Sequence, residues 1–245
     1  MLLRRNRMWD RLPIAWAWLL ARGGFLTRPV FFIAAASALT SARAESLDAV
    51  LAHMDAAARQ FQSFSAHIRQ TDYTAAIDDS DVSTGEVRMK RGKSGVSMVI
   101  EYGEPNPRSI GISGHTVQIY SPKANVVDIY DTSKYTARVD QYLLLGFGTT
   151  SAELRKNYDV KLGGVDPQGT RLELIPRSAE ALKLVSKIEL WIPEGQGSPV
   201  QEKITKASKD TLLVEYSDMK LNPPLPDSAF ELKLPAGVRK HTPQK

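Results

Sequence analysis

Cysteine is missing from this 245-residue chain. Its absence excludes disulfide staples, thiol nucleophiles, thiolate metal sites and lipid attachment at an N-terminal cysteine, so the core must hold the fold unaided. Histidine is scarce: His53, His67, His115 and His241 are the four. They are far apart and lack ligand spacing such as H-x-x-x-H, which argues against a metal site. Catalytic signatures are missing as well, with no G-x-S-x-G, no carboxylate pair at an interpretable spacing and no His-Asp-Ser order. Asp78, Asp79 and Asp81 resemble a calcium loop only superficially, because the glycine and glutamate that such a loop places at its sixth and twelfth positions are absent. No catalytic residue, metal or cofactor is therefore expected, and an enzyme is disfavoured.

A membrane-length apolar run is also lacking. Residues 12–21 and 29–39 are apolar, but each falls short of the ~20 residues that a bilayer-spanning helix needs. The second stretch follows Arg28 and closes on Ala42, Arg43 and Ala44, a small-x-small pattern. Residues 1–44 carry Arg4, Arg5, Arg7, Arg11, Arg22, Arg28 and Arg43 against one acid, Asp10. A basic region, a short apolar region and A-x-A are the layout of a cleavable secretory signal. The expected organisation is a signal peptide over 1–44, one domain over 45–240 and a tail over 241–245. The mature protein, cut near Ala44, is expected to be soluble and periplasmic. An uncleaved N-terminal anchor is the alternative. No convincing twin-arginine context follows Arg4 and Arg5. The first 27 residues make an unusually long basic region, consistent with a translation start downstream of Met1, at Met8 or a non-Met codon.

Export changes the charge balance. The full chain has 32 Lys and Arg against 27 Asp and Glu, a net charge of +5. Removing residues 1–44 takes away seven bases and one acid, leaving 25 against 26, near −1. The excess positive charge belongs to the signal, so the electrostatic argument for nucleic-acid binding disappears. About 200 residues remain, enough for one domain with a sizeable core.

What is present is periodic. Leu47, Val50, Leu51, Met54, Ala57, Ala58 and Phe61 recur at three- and four-residue steps, an amphipathic helix over 46–61 with Ser46 as N-cap and Asp48 in the first turn. Phe64, Ala66 and Ile68 then alternate with Ser65, His67 and Arg69, a strand. After a polar turn at 77–81, Val87 and Met89 alternate with Glu86, Arg88 and Lys90. Val96, Met98, Ile100 and Tyr102 share one face of the next segment. Residues 109–113 and 116–120 flank Gly114 and His115, a hairpin signal, and 126–130 is a further strand. The character changes over 133–158, where Val139, Tyr142, Leu143, Leu144, Leu145, Phe147 and Leu154 are interrupted by Gly146 and Gly148. This reads as helix, break and short helix. Strands resume at 159–162, 170–175, 186–192, 200–206, 212–216 and 230–234, with a helical turn near 179–184. In 186–192 the apolar face is Ile188, Leu190 and Ile192, and the other is Lys187, Glu189 and Trp191. The pattern predicts an α+β fold: a largely antiparallel sheet, curved or barrel-like, with two helical segments available to cover its concave face.

Residues 85–91 read GEVRMKR, 102–105 YGEP, 113–122 SGHTVQIYSP, 188–193 IELWIP and 230–238 FELKLPAGV. In this order and spacing, over about residues 46–238, they resemble the LolA-like family of periplasmic carriers of outer-membrane lipoproteins. The resemblance implies an unclosed, strongly curved antiparallel β-barrel of about ten to eleven strands, with an N-terminal helix and a central helical lid over an apolar cavity. It implies a monomer whose partners are acylated lipoproteins, an inner-membrane lipoprotein-releasing transporter and an outer-membrane receptor. The family's lid-locking arginine matches Arg91. Its cavity strand matches Met98, Ile100 and Tyr102, joined by Val87 and Met89 of the preceding strand, and its lid matches Tyr142, Leu143, Leu144, Leu145 and Phe147. Gly92 replaces a proline, Ser113 an aspartate, the loop 91–96 is longer, and Met98 and Ile100 stand where aromatics are common. These departures bear on the ligand more than on the fold.

Blander readings stay open for each residue. Arg91 reads equally as a solvated turn residue beside Lys90 and Lys93, the cavity residues as ordinary core, and 143–147 as a core helix. Two other functions compete: a binder of a different lipid, and a regulatory module that binds a membrane anti-sigma factor. Relatives of the second kind carry an additional C-terminal domain, whereas this chain ends soon after its last expected strand. An apolar cavity beneath residues 133–157 separates a carrier from a packed sandwich.

Overall fold

A strand that alternates apolar and polar side chains buries one face only, so a run of such strands needs something to lie against that face. The computed structural model describes residues 45–92, 95–133 and 145–243. The signal segment and Tyr142, Leu143 and Leu144 of the expected lid lie outside the described residues. The strands are Ser63–Thr74 (β1), Asp79–Gly92 (β2), Gly95–Tyr102 (β3), Arg108–Ser113 (β4), Thr116–Ser121 (β5), Val126–Asp131 (β6), Tyr158–Asp166 (β7), Gly169–Pro176 (β8), Val185–Ile192 (β9), Gln201–Lys206 (β10), Thr211–Leu221 (β11) and Arg239–His241 (β12). The helices are Leu47–Gln60 (α1), Ser151–Asn157 (α2) and Ala179–Leu182 (α3), with 3₁₀ turns at Pro122–Ala124 and Asp227–Phe230.

All twelve described strands form one sheet in the order β12-β6-β5-β4-β3-β2-β1-β11-β10-β9-β8-β7. Two meanders, β1 to β6 and β7 to β11, are joined where β11 returns to pair with β1. Every pairing is antiparallel except β12 on β6. Shifts of register in β1–β11, β9–β10 and β7–β8 bend the sheet. It is curved and unclosed, with β12 and β7 at its ends. The expected hairpin at Gly114 is present, and Gly114 adopts φ +55°, a conformation that favours glycine.

Helix α1 begins as its sequence predicts, with the Ser46 hydroxyl accepting from the Ala49 N–H at 3.2 Å. Asn222 closes its other end. The Asn222 side chain donates to the Gln60 carbonyl at 2.9 Å and accepts from the N–H groups of Gln62 and Ser63 at 2.8 and 3.2 Å. The apolar stripe Val50, Leu51 and Met54 packs into a core with Leu154, Tyr158, Leu172, Leu174, Ile188, Leu190 and Ile192. Each such burial contributes about 1.5–3 kcal/mol. Helix α1 therefore fills the concave face over β7, β8 and β9.

One expectation is corrected. Residues 230–234 do not form a strand: Phe230 ends a 3₁₀ turn, and Leu232 lies against Gly111 of β4 on the face away from the cavity. Phe230 is buried there, Arg88 Nε donates to the Ala229 carbonyl at 3.3 Å, and the Lys90 ammonium pairs with Asp227 and sits 4.8 Å from the Phe230 ring. Apolar alternation reports which side chains are covered, not whether the backbone has a ladder partner, so a segment lying across a sheet mimics a strand. The strand expected over 186–192 is present as β9, and its second face is covered as well. Glu189 and Trp191 are buried, Trp191 Nε1 donates to Asp166 at 2.7 Å, and Glu189 lies 3.1 Å from Lys187 and 3.9 Å from Arg171.

Candidate functional site

Where α1 does not reach, the concave face stays open. Between β1, β2 and β3 on one side and β10 and β11 on the other lies a cavity of about 230 Å³. Val87, Met89, Met98, Ile100 and Tyr102 all line it. They fall in successive rows of the sheet: Met89 faces Met98, Val87 faces Ile100, and Tyr102 stands opposite Gly85. The opposite wall comprises Ile204 and Glu202 of β10 and Leu212, Val214 and Tyr216 of β11, with Phe64, Ile68 and Gln70 of β1 between the two. Of the wall outside β2 and β3, only Phe64 and Ile68 carried an apolar signal that the alternation singled out.

A turn at residues 145–148 covers the cavity. Leu145 belongs to the core beneath α1, whereas Phe147 belongs to the cavity side. Gly146 between them has φ +80°, and a Cβ there would lie 2.7 Å from Pro199 Cγ, so glycine alone allows the reversal. The Phe147 ring stacks on Phe64 with centroids 4.4 Å apart and meets Tyr216 edge-on at 5.2 Å. Aromatic pairs in these geometries add about 0.5–1.5 kcal/mol each beyond burial.

Arg91 reaches the turn from outside. It continues the inward series Val87, Met89 on β2, and its Nη2 donates to the Gly148 carbonyl. Its guanidinium lies 5.8 Å from the Phe61 ring, and its own N–H donates to the Gln62 carbonyl at 2.8 Å. Beyond the turn, Thr150 and Glu153 form a capping box on α2. Hydrogen bonds from the Thr150 N–H and hydroxyl, with the positive charge of Arg91 adding to them, hold the Glu153 carboxyl below its usual pKa. Asp55 of α1 accepts from the Ser151 N–H and hydroxyl at 2.6 and 2.7 Å.

The wall is not wholly apolar. The Tyr102 hydroxyl donates to Gln70 Oε1 at 2.6 Å, and Gln70 Nε2 donates to Asp72 at 2.6 Å. Burial pushes the Glu202 carboxyl up to about 8, against a weaker opposing interaction with the Tyr216 hydroxyl. Burial, then the Glu202 charge, raises Tyr216 well above the usual tyrosine range. Nothing in the periodicity marked Gln70, Glu202 or Tyr216. Among the described residues no group of three or more His, Asp or Glu is arranged to hold a metal ion, and no helix is long and apolar enough to cross a membrane.

A curved antiparallel sheet wrapped on an apolar cavity, with an aromatic turn in its mouth, defines a class of unclosed-barrel folds. Within that class the chain belongs to the family of the outer membrane lipoprotein carrier protein LolA, whose model matches residues 59–233. Among solved structures it is similar to the LolA superfamily protein NE2245 from Nitrosomonas europaea, at 17% identity over 77% of this chain and 99% of that one, with a TM-score of 0.41. It is also similar to an uncharacterized conserved protein from Thermus thermophilus, at 13% identity over 81% and 100%, with a TM-score of 0.49. A chain of the Pseudomonas aeruginosa MucA/MucB complex matches at 12% identity over 74% of this chain and 59% of its own length, with a TM-score of 0.43. No curated protein matches the sequence.

Proposed function

We propose that this protein is an exported, non-enzymatic carrier. It takes the acyl chains of lipoproteins into the cavity between β1–β3 and β10–β11 and moves them from the inner to the outer membrane. On this reading a lipoprotein-releasing transporter loads it and an outer-membrane receptor unloads it. The observation that carries the reading is the placement of Val87, Met89, Met98, Ile100, Tyr102 and Phe147 around one cavity beneath a turn tethered by Arg91. Family membership supports it.

The magnitudes agree. A sixteen-carbon chain exposed to water is disfavoured by about 12 kcal/mol, at about 0.8 kcal/mol per CH₂. A soluble carrier must therefore bury it. The cavity of about 230 Å³ lies below the roughly 300–1,000 Å³ of ordinary ligand pockets, so loading requires Phe147 to leave. The Arg91 hydrogen bond contributes about 1.5–3 kcal/mol to closure. Burial of the Phe147 side chain adds about 1.5–3 kcal/mol. Acyl transfer exceeds their sum, so the lipid displaces the plug.

The test is to purify the exported protein, sequence its N-terminus, extract bound lipid for mass spectrometry and incubate it with transporter-bearing membranes that hold palmitate-labelled lipoprotein. Labelled lipoprotein recovered in solution with the protein is the expected result. Protein that carries no lipid and releases no lipoprotein sinks the proposal. A bound glycolipid or similar molecule, without lipoprotein release, favours the second reading, a binder or sensor of another lipid; the polar groups in the wall are the observation that favours it.

A further inference from the structure

An apolar cavity made only for hydrocarbon has no use for Glu202. Its cost there is unfavourable, since a polar group buried without full compensation costs about 1–3 kcal/mol. Yet the sheet register gathers polar groups at one end of the wall. Gln70, Val214 and Glu202 occupy one row across β1, β11 and β10. Tyr102, Gly85, Ile68 and Tyr216 occupy the next row across β3, β2, β1 and β11. Four polar side chains thus share one corner of a cavity whose other lining residues are apolar.

Most of their hydrogen-bonding capacity is spent. Tyr102 donates to Gln70, and Gln70 to Asp72. Glu202 and Tyr216 differ. Near neutral pH burial keeps the carboxyl protonated and the phenol neutral. The pair then holds two O–H donors, and one interaction between them uses at most one. No other hydrogen bond joins Glu202 to the described residues, and its neighbours across the ladder, Val214 and Leu190, are apolar. The other titratable or charged groups at this corner are Tyr102, Asp72 behind Gln70, and Arg108, whose guanidinium lies 4.8 Å from the Tyr102 ring. One donor is left facing the cavity, and its natural complement is a neutral acceptor oxygen.

We propose that Gln70, Tyr102, Glu202 and Tyr216 form a subsite for a neutral oxygen function on the bound lipid, an ester or amide carbonyl, with Glu202 as the donor. The cavity then selects acyl esters and amides over free fatty acids, whose carboxylate would have to leave water for a neutral, largely apolar wall with no cation among its described residues. This inference rests on the reading of the cavity as a lipid site and deepens it.

Displacement of the apolar dye N-phenylnaphthylamine by decane, decanoate and decanoylglycerol tests it at neutral pH. Wild-type protein is expected to bind decanoylglycerol about tenfold more tightly than decanoate, the equivalent of one net hydrogen bond. Glu202→Leu should lose that preference while binding decane at least as well. Glu202→Gln keeps an N–H donor of similar shape and should retain the preference. It should also abolish the weakening of decanoylglycerol binding that wild type shows as pH rises past about 8. Circular dichroism checks the fold of both variants. A Glu202→Leu protein that still prefers decanoylglycerol overturns the subsite and leaves the lipid reading standing. Failure of all three ligands to displace the dye from wild type overturns the lipid reading and the subsite together.

Discussion

Replacing Glu202 by Gln isolates what one carboxyl does to the stability of this sheet. Glu202 sits on β10 in the cavity wall, and burial moves its pKa from 4.5 to about 8. At about 1.4 kcal/mol per pH unit, that interval corresponds to at most about 5 kcal/mol, because Glu202 is only half-buried and solvent screens part of the shift. The direction follows from proton binding. Below pH 4.5 the carboxyl is protonated in both folded and unfolded chains and adds no pH dependence. Between 4.5 and about 8 the folded protein holds a proton that the unfolded chain has released, so stability falls as pH rises. Above about 8 both states are ionised and the loss levels off. Near pH 7 the wild type is thus less stable than at pH 4.5, by at most about 3 kcal/mol on account of this group alone. Glutamine has nearly the same shape and does not titrate, so the difference between the two proteins cancels every other group. Urea unfolding from about pH 5 to about pH 9 reads it directly. The stability advantage of Glu202→Gln should widen by about 1.4 kcal/mol per pH unit up to about pH 8 and then stay constant. Parallel curves across the range would refute the burial of Glu202 in a water-poor wall.

Other perturbations address the turn and the frame that holds it. Arg91→Leu removes the charged donor on the Gly148 carbonyl, a bond of about 1.5–3 kcal/mol; amide exchange at residues 145–149 should quicken about ten- to a hundredfold, and unchanged exchange means that Arg91 does not hold the turn. Phe147→Ala deletes a buried ring stacked on Phe64 and should lower unfolding stability by about 3–5 kcal/mol while tightening N-phenylnaphthylamine binding; weaker dye binding would show that Phe147 does not occupy the ligand volume. Asn222→Ala leaves the Gln60 carbonyl and the Gln62 and Ser63 N–H groups without their side-chain partner; a loss of about 1–3 kcal/mol is expected, and an unchanged melting temperature argues that solvent replaces those bonds.

Much of the frame was legible in the residues. The three- and four-residue steps of Val50, Leu51 and Met54 located α1, and the alternation of Val87, Met89, Met98, Ile100 and Tyr102 told which side chains point to the concave face. Both are local periodicities set by backbone geometry. The strand expected at 230–234 failed for a corresponding reason, since alternation records burial and says nothing of pairing. Arg91 was singled out only through the family resemblance, because a lone arginine in a basic turn has no local signature.

Glu202 shows where local pattern stops. It alternates with Lys203 on a strand whose neighbours are charged, and in isolation it reads as solvent-facing. Its place in the cavity wall depends on β11 pairing with both β1 and β10, strands separated by more than a hundred residues of chain. By itself the sequence determined the helix, the inward faces of β1, β2, β3 and β9, the glycine-broken segment and the apolar character of what the sheet encloses. Those follow from covalent geometry and transfer from water, which act within a few residues. Only the tertiary structure decided that α1 fills one half of the concave face and leaves the other hollow, that Phe147 plugs the hollow, and that Gln70, Tyr102, Glu202 and Tyr216 meet there. Register is set by the packing of the whole sheet, and no short stretch of the chain contains it.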